Sequence, residues 1–109
     1  MPRILLITLF ASTFFQLACT WAPLSQRGEK VRVLEPYEIN SCVKKGKATV
    51  SVRDKVAGIE RNKKDVTNEL QRLARNAAPD LNGDTVVAAS PIKMGKQTFH
   101  IYKCVDPQN

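Results

Sequence analysis

Only one stretch of this chain carries a helical apolar period, and that limits the ways it can bury a core. From Asn62 to Ala78, the residues Val66, Leu70, Leu73, Ala74 and Ala77 fall within a stripe about 100° wide, the width a core-facing helix needs. Asn62 is placed to cap this helix, with Asp65 three residues on in a shortened capping-box arrangement. Pro79 and Asn82-Gly83 stop it. The other periodic segments alternate with a period of two, as strands do. Lys30–Leu34 and Lys47–Arg53 come before the helix. In the second of these, Ala48, Val50 and Val52 share one face, and Thr49, Ser51 and Arg53 share the other. Gly46 marks an expected bulge. After the helix, Asp84–Ser90 reads as a buried strand closed by Pro91, Lys93–Lys96 as a turn, and Gln97–Cys104 as a returning strand. The expected order is β-β-α-β-β. A lone helix has to cover one face of a mostly antiparallel sheet, which makes the fold class α+β, a two-layer sandwich.

The amino terminus points to export. Met1-Pro2-Arg3 is short and positive, and Ile4–Phe15 is apolar apart from Thr8, Ser12 and Thr13. This has the layout of a secretory signal, and it falls short of the roughly 20 residues a spanning helix needs. Gln16-Leu17-Ala18-Cys19 looks like a lipobox, which would make 1–18 a signal peptide and Cys19 the lipidated first residue of the mature chain. Gln16 stands where a lipobox usually has Leu. Cleavage after Ala22 would put Pro23, with its fixed backbone, directly behind the cut. The absence of Asp at Thr20 implies an outer-membrane destination.

Cysteine arithmetic fits this layout. The chain has three cysteines, at 19, 42 and 104. Acylation of Cys19 accounts for the odd one and leaves Cys42 and Cys104 as a pair for an oxidising compartment. Their bridge would close a loop of roughly 60 residues, a useful staple for a domain this small. Residues 19–29 then read as lipidated cysteine and tether, 30–104 as the α+β domain, and 105–109 as a polar tail.

The sequence shows no catalytic constellation. His100 is the only histidine and lies mid-strand with no acid beside it in sequence, so neither a triad nor a metal site is expected. There is no Gly-x-Ser-x-Gly elbow, no Gly-rich phosphate loop and no zinc-spaced cysteine pair, and no cofactor is expected. Charge is the unusual feature, at +7 over the chain, with only 6% aromatic residues. Lys44, Lys45, Lys47, Arg53, Lys55, Arg61, Lys63 and Lys64 crowd one stretch. Arg61, Lys63 and Lys64, beside the free N–H groups of the helix start, form a candidate anion-binding site. Export argues against nucleic acid as partner. The expected partners are the membrane, through the lipid anchor, and either another envelope protein or an anionic envelope polymer.

Several of these features together resemble a family of small bacterial envelope lipoproteins known only by a domain-of-unknown-function label. The matching residues are Cys19, the Lys30–Leu34 strand, Cys42 followed by Gly46, and the Leu70, Leu73-Ala74 and Ala77-Ala78 helix positions. Leu81–Val87 and the closing Ile101-Tyr102-Lys103-Cys104 complete the pattern. The resemblance implies no activity and no catalytic residue. In layout the chain is also similar to the outer-membrane sensor lipoprotein of the Rcs stress phosphorelay, which uses two bridges where only one is possible here. That likeness implies a stress-sensing adaptor as an alternative to a non-enzymatic interaction domain or a basic-faced binder of anionic glycolipid or wall polymer.

Overall fold

The sequence places its apolar residues on alternate positions of two long strands and on one stripe of one helix, and the fold joins these surfaces. The computed structural model describes residues 23–105. The expected signal peptide 1–18, Cys19, residues 20–22 of the expected tether and residues 106–109 of the expected tail lie outside the described residues. The strands are β1 (Arg32–Val33), β2 (Val43–Ser51), β3 (Lys55–Val56), β4 (Ile59–Glu60), β5 (Thr85–Ala88) and β6 (Lys96–Lys103), and the helix is α1 (Lys63–Ala77). Four strands form one sheet in the order β1-β5-β6-β2. The β5–β6 and β6–β2 pairs are antiparallel, and β1 lies parallel to β5. The α+β class with one helix on a sheet is therefore what forms.

Helix and sheet bury one shared core. Val66, Leu70, Ala74 and Ala78 come from the helical side, and Val31, Val86, Phe99 and Ile101 from the sheet side. Ala48, Val50 and Val52 pack on its margin, the face expected of them. Leu73 and Ala77 are half-buried, whereas Glu69 is buried although the apolar pattern gives no sign of it. Asn62 caps α1 as expected, its side-chain oxygen accepting the N–H groups of Lys64 at 2.8 Å and Asp65 at 3.3 Å. The helix runs on into a 3₁₀ turn, Ala78–Leu81, and Asn82 then reverses the chain at φ 63°. Gly83 follows where a β-carbon would collide with Ile101 Cγ2, so only glycine lets the chain pass this close to β6.

The sheet differs from expectation in three places. The first strand is two residues long, because Gly28–Lys30 closes into a 3₁₀ turn ahead of it. The second starts at Val43, four residues earlier than its alternation shows, because a bulge between Lys44 and Gly46 resets the register inside the strand. A separate hairpin, β3–β4, stands between β2 and α1. Its turn residues, Ala57 and Gly58, have φ of 54° and 81°, the signs of a type I′ turn. Such turns are recognised by Asn-Gly or Asp-Gly, and alanine in the first position hides this one.

The amino-terminal side of the domain is held rather than free. Asn76 near the end of α1 accepts the Ser25 N–H at 2.8 Å and donates to the Pro23 carbonyl at 2.9 Å. Arg75 donates to the Val31 carbonyl at 2.8 Å. The expected tether is thus bound to the helix from Pro23 onward.

Candidate functional site

The carboxyl end of the sheet is fastened by a disulfide and a carboxylate. Cys42 and Cys104 are bonded, 62 residues apart in sequence. Beside them, Asp84 accepts the Cys104 N–H at 2.8 Å, the Val105 N–H at 2.9 Å and the Thr85 hydroxyl at 3.0 Å. Burial alone would raise the Asp84 pKa. The two backbone N–H groups, the Thr85 hydroxyl and the charge of Lys103 outweigh it and hold the carboxyl below its ordinary 3.8. These groups tie the start of β5 to the end of β6; they are structural.

The candidate anion site at the helix start is arranged otherwise than its sequence implies. Arg61 is turned inward: its guanidinium meets Glu69 at 3.1 Å and donates to the Arg53 carbonyl at 2.8 Å. Its side chain is 10% exposed and that of Glu69 6%. Lys63 and Lys64 are exposed. The Asn62 side chain already takes the N–H groups of Lys64 and Asp65. Arg61 and Lys63 do line a common cavity of about 300 Å³, but Asp54 and Glu60 line it too, with Ile92 and Met94 on its rim. Arg61 is therefore paired with an acid, and Lys63 shares its cavity with two more.

The sheet face away from α1 has a different character. Register puts Gly46, Ala48 and Val50 opposite Ile101, Phe99 and Gln97 on the core side. The intervening pairs, Lys44–Tyr102, Lys47–His100, Thr49–Thr98 and Ser51–Lys96, therefore share the outer side. On that side Thr85 and Val87 of β5 are buried, while Lys44, Lys47, Thr49, Ser51 and Lys96 are exposed. The β5 half of the face is covered and the β6–β2 half is open. β2 and β6 carry five lysines and no carboxylate. Partial burial and the charges of Lys44 and Lys47 push the His100 pKa below its ordinary 6.5. Its ring meets Tyr102 edge-on at 6.4 Å, and the Thr49 and Thr98 hydroxyls hydrogen-bond at 2.8 Å. Sequence reasoning missed this strip because Lys96 lies about 50 residues from Lys44 and Lys47; strand pairing alone brings them together.

A family model, Domain of unknown function (DUF4156), matches residues 22–104. The chain belongs to this family. The match opens one residue before the Asn76-bound segment and closes on the second cysteine of the bridge, so the DUF4156 domain covers the whole stapled fold. No curated protein and no solved structure matches the chain. Among the described residues of this DUF4156 domain, no three His, Cys, Asp or Glu side chains group to hold a metal ion, and no helix is long and apolar enough to cross a membrane.

Proposed function

We propose that this DUF4156 protein is an exported, non-enzymatic lipoprotein of a bacterial envelope, held to the outer membrane by acyl chains on Cys19 and presenting its stapled fold as an interaction domain. One observation carries the reading. Cys42 and Cys104 are bonded to each other, which leaves Cys19 as the odd cysteine, directly behind Ala18 and the apolar Ile4–Phe15 run. A disulfide of this kind persists in an oxidising compartment, and a thioether-linked lipid accounts for the odd cysteine that remains behind an apolar run. More than one acyl chain makes anchoring stable without any spanning segment. The non-enzymatic part of the reading is supported by the setting of His100, which two lysines face and beside which, among the described residues, no acid lies to orient the ring.

The test is the intact mass of the protein extracted from membranes, with and without reductant. A chain beginning at Cys19 and carrying acyl mass, with a two-hydrogen gain on reduction, is the expected result. A chain that retains residues 1–18 or lacks the acyl mass overturns the anchor.

A further inference from the structure

We propose that the open β6–β2 half of the sheet, built on Lys44, Lys47, Lys96 and His100, binds an extended polyanionic glycan, a carbohydrate chain bearing phosphate or carboxylate groups. The proposal gives the interaction domain described above a partner and rests on that reading for where the glycan is met.

Charge complementarity comes first. Three exposed lysines stand on the outer side of two neighbouring strands, and neither strand contributes a carboxylate to it. Two arginines elsewhere in the domain are paired with acids, Arg61 with Glu69 and Arg27 with Asp80, at 3.1 and 3.4 Å. The depressed pKa of His100 agrees with a local positive field that an anion would relieve.

The shape of the face selects among anions. The cavity lined by Arg61 and Lys63 does not include Lys44, Lys47, Lys96 or His100, which stand along two paired strands. A small phosphate would need a concave site, whereas an extended chain can lie along a pleated strip. Thr49 and Thr98 stand between the lysines, and Ser51 and Tyr102 pair with Lys96 and Lys44; their hydroxyls can exchange hydrogen bonds with sugar hydroxyls as well as with anionic oxygens.

An acidic protein is a poorer fit. Protein interfaces have an apolar centre, and the exposed large apolar side chains of this domain, among them Val56, Ile59 and Met94, lie off this strip. A membrane surface is a poorer fit for a geometric reason. Asn76 fixes the chain at Pro23 and Ser25 against the helix, on the side of the sheet away from the strip. With Cys19 as anchor, only residues 20–22 separate the lipid from that clamp. The four peptide units from Cys19 to Pro23 reach about 14 Å at most, so the attachment point of the anchor lies on the helix side of the domain, opposite the lysine strip.

The experiment uses the protein extracted in neutral detergent and measures its binding to heparin, a soluble polyanionic glycan, across a salt series, with neutral dextran as control. Lys44→Gln/Lys47→Gln/Lys96→Gln is expected to weaken binding about tenfold to a hundredfold and to flatten the slope of log K against log salt by about two to three units. Lys55→Gln/Lys63→Gln/Lys64→Gln removes the same charge elsewhere and is expected to change binding by about twofold or less. The arginine triple at 44, 47 and 96 is expected to bind as the wild type does, which separates lost charge from a damaged strand. Equal losses in the two glutamine triples would show a response to net charge alone and overturn the proposal. So would retention on heparin no greater than on dextran. Flotation with vesicles containing phosphatidylglycerol that depends on Lys44, Lys47 and Lys96 and displaces heparin would replace the glycan by a membrane. The heparin result does not depend on acylation, so loss of the Cys19 anchor and failure of the strip are read separately.

Discussion

Lys47 of β2 stands directly opposite His100 of β6, on the outer side of the sheet, so the only histidine of the chain is held beside a fixed positive charge. Burial and the lysines depress the folded pKa of His100 below 6.5. Above that value the ring is neutral in both states. Below it the unfolded chain takes up a proton that the folded chain refuses, so stability falls as pH drops from 6.5 toward the folded pKa and then levels off. The fall is expected in urea unfolding as the pH drops below about 6.5, and His100→Gln is expected to remove it. Addition of heparin is expected to raise the His100 pKa followed by NMR, because a bound anion favours the imidazolium.

Asp84 gives an acid limb of opposite origin. Its folded pKa lies below 3.8, so the stability it contributes is complete above that value and is lost as pH falls through the folded pKa. Asp84→Ala is expected to cost about 2–3 kcal/mol at neutral pH, since two backbone N–H groups and a hydroxyl lose a charged acceptor. In the variant the decline below about pH 4 is expected to flatten, as read from thermal melts in acid buffers.

Arg61 and Glu69 are nearly out of solvent, so removing one partner leaves the other charge buried. Glu69→Ala is expected to destabilise by about 3–5 kcal/mol in urea unfolding. The double variant Arg61→Met/Glu69→Leu is expected to recover much of this, because the desolvation of both charges goes with them.

The Cys42–Cys104 bond closes a segment of 62 residues that contains β2, the hairpin, α1 and most of the sheet. Cys42→Ser/Cys104→Ser is expected to cost about 4 kcal/mol through the freer unfolded chain. Reductant is expected to lower the melting temperature of the wild type and leave that of the double variant unchanged.

Asn76 is the clamp on the incoming chain. Asn76→Ala removes the bonds to Pro23 and Ser25 and is expected to cost about 1–2 kcal/mol. Amide exchange is expected to accelerate at Ser25, with little change in the slow amides of β6, because the core does not depend on this segment.

What the sequence by itself determined is local. The period of Val66, Leu70 and Ala74 gives a helix wherever it packs, Asn62 caps it through its own neighbours, and Ala48, Val50 and Val52 share a face because successive side chains of a strand alternate. One amphipathic helix among alternating strands leaves few ways to bury a core, so the two-layer class was legible, and three cysteines with one just behind an apolar run made Cys42 and Cys104 the natural pair. Tertiary structure decided what depends on distant partners. Gly46 marked its bulge in the sequence, but the parallel pairing of β1 and the burial of Glu69 against Arg61 have no local signature, since each is set by a neighbour about 8 to 53 residues away. The same holds for the basic residues. Arg61, at the centre of the cluster that is dense in sequence, turns inward to Glu69 on folding, and the acid-free strip is assembled by strand register, which brings Lys96 to Lys44 and Lys47 from about 50 residues away. Charge acts through space, and only the paired strands fix which charges are close.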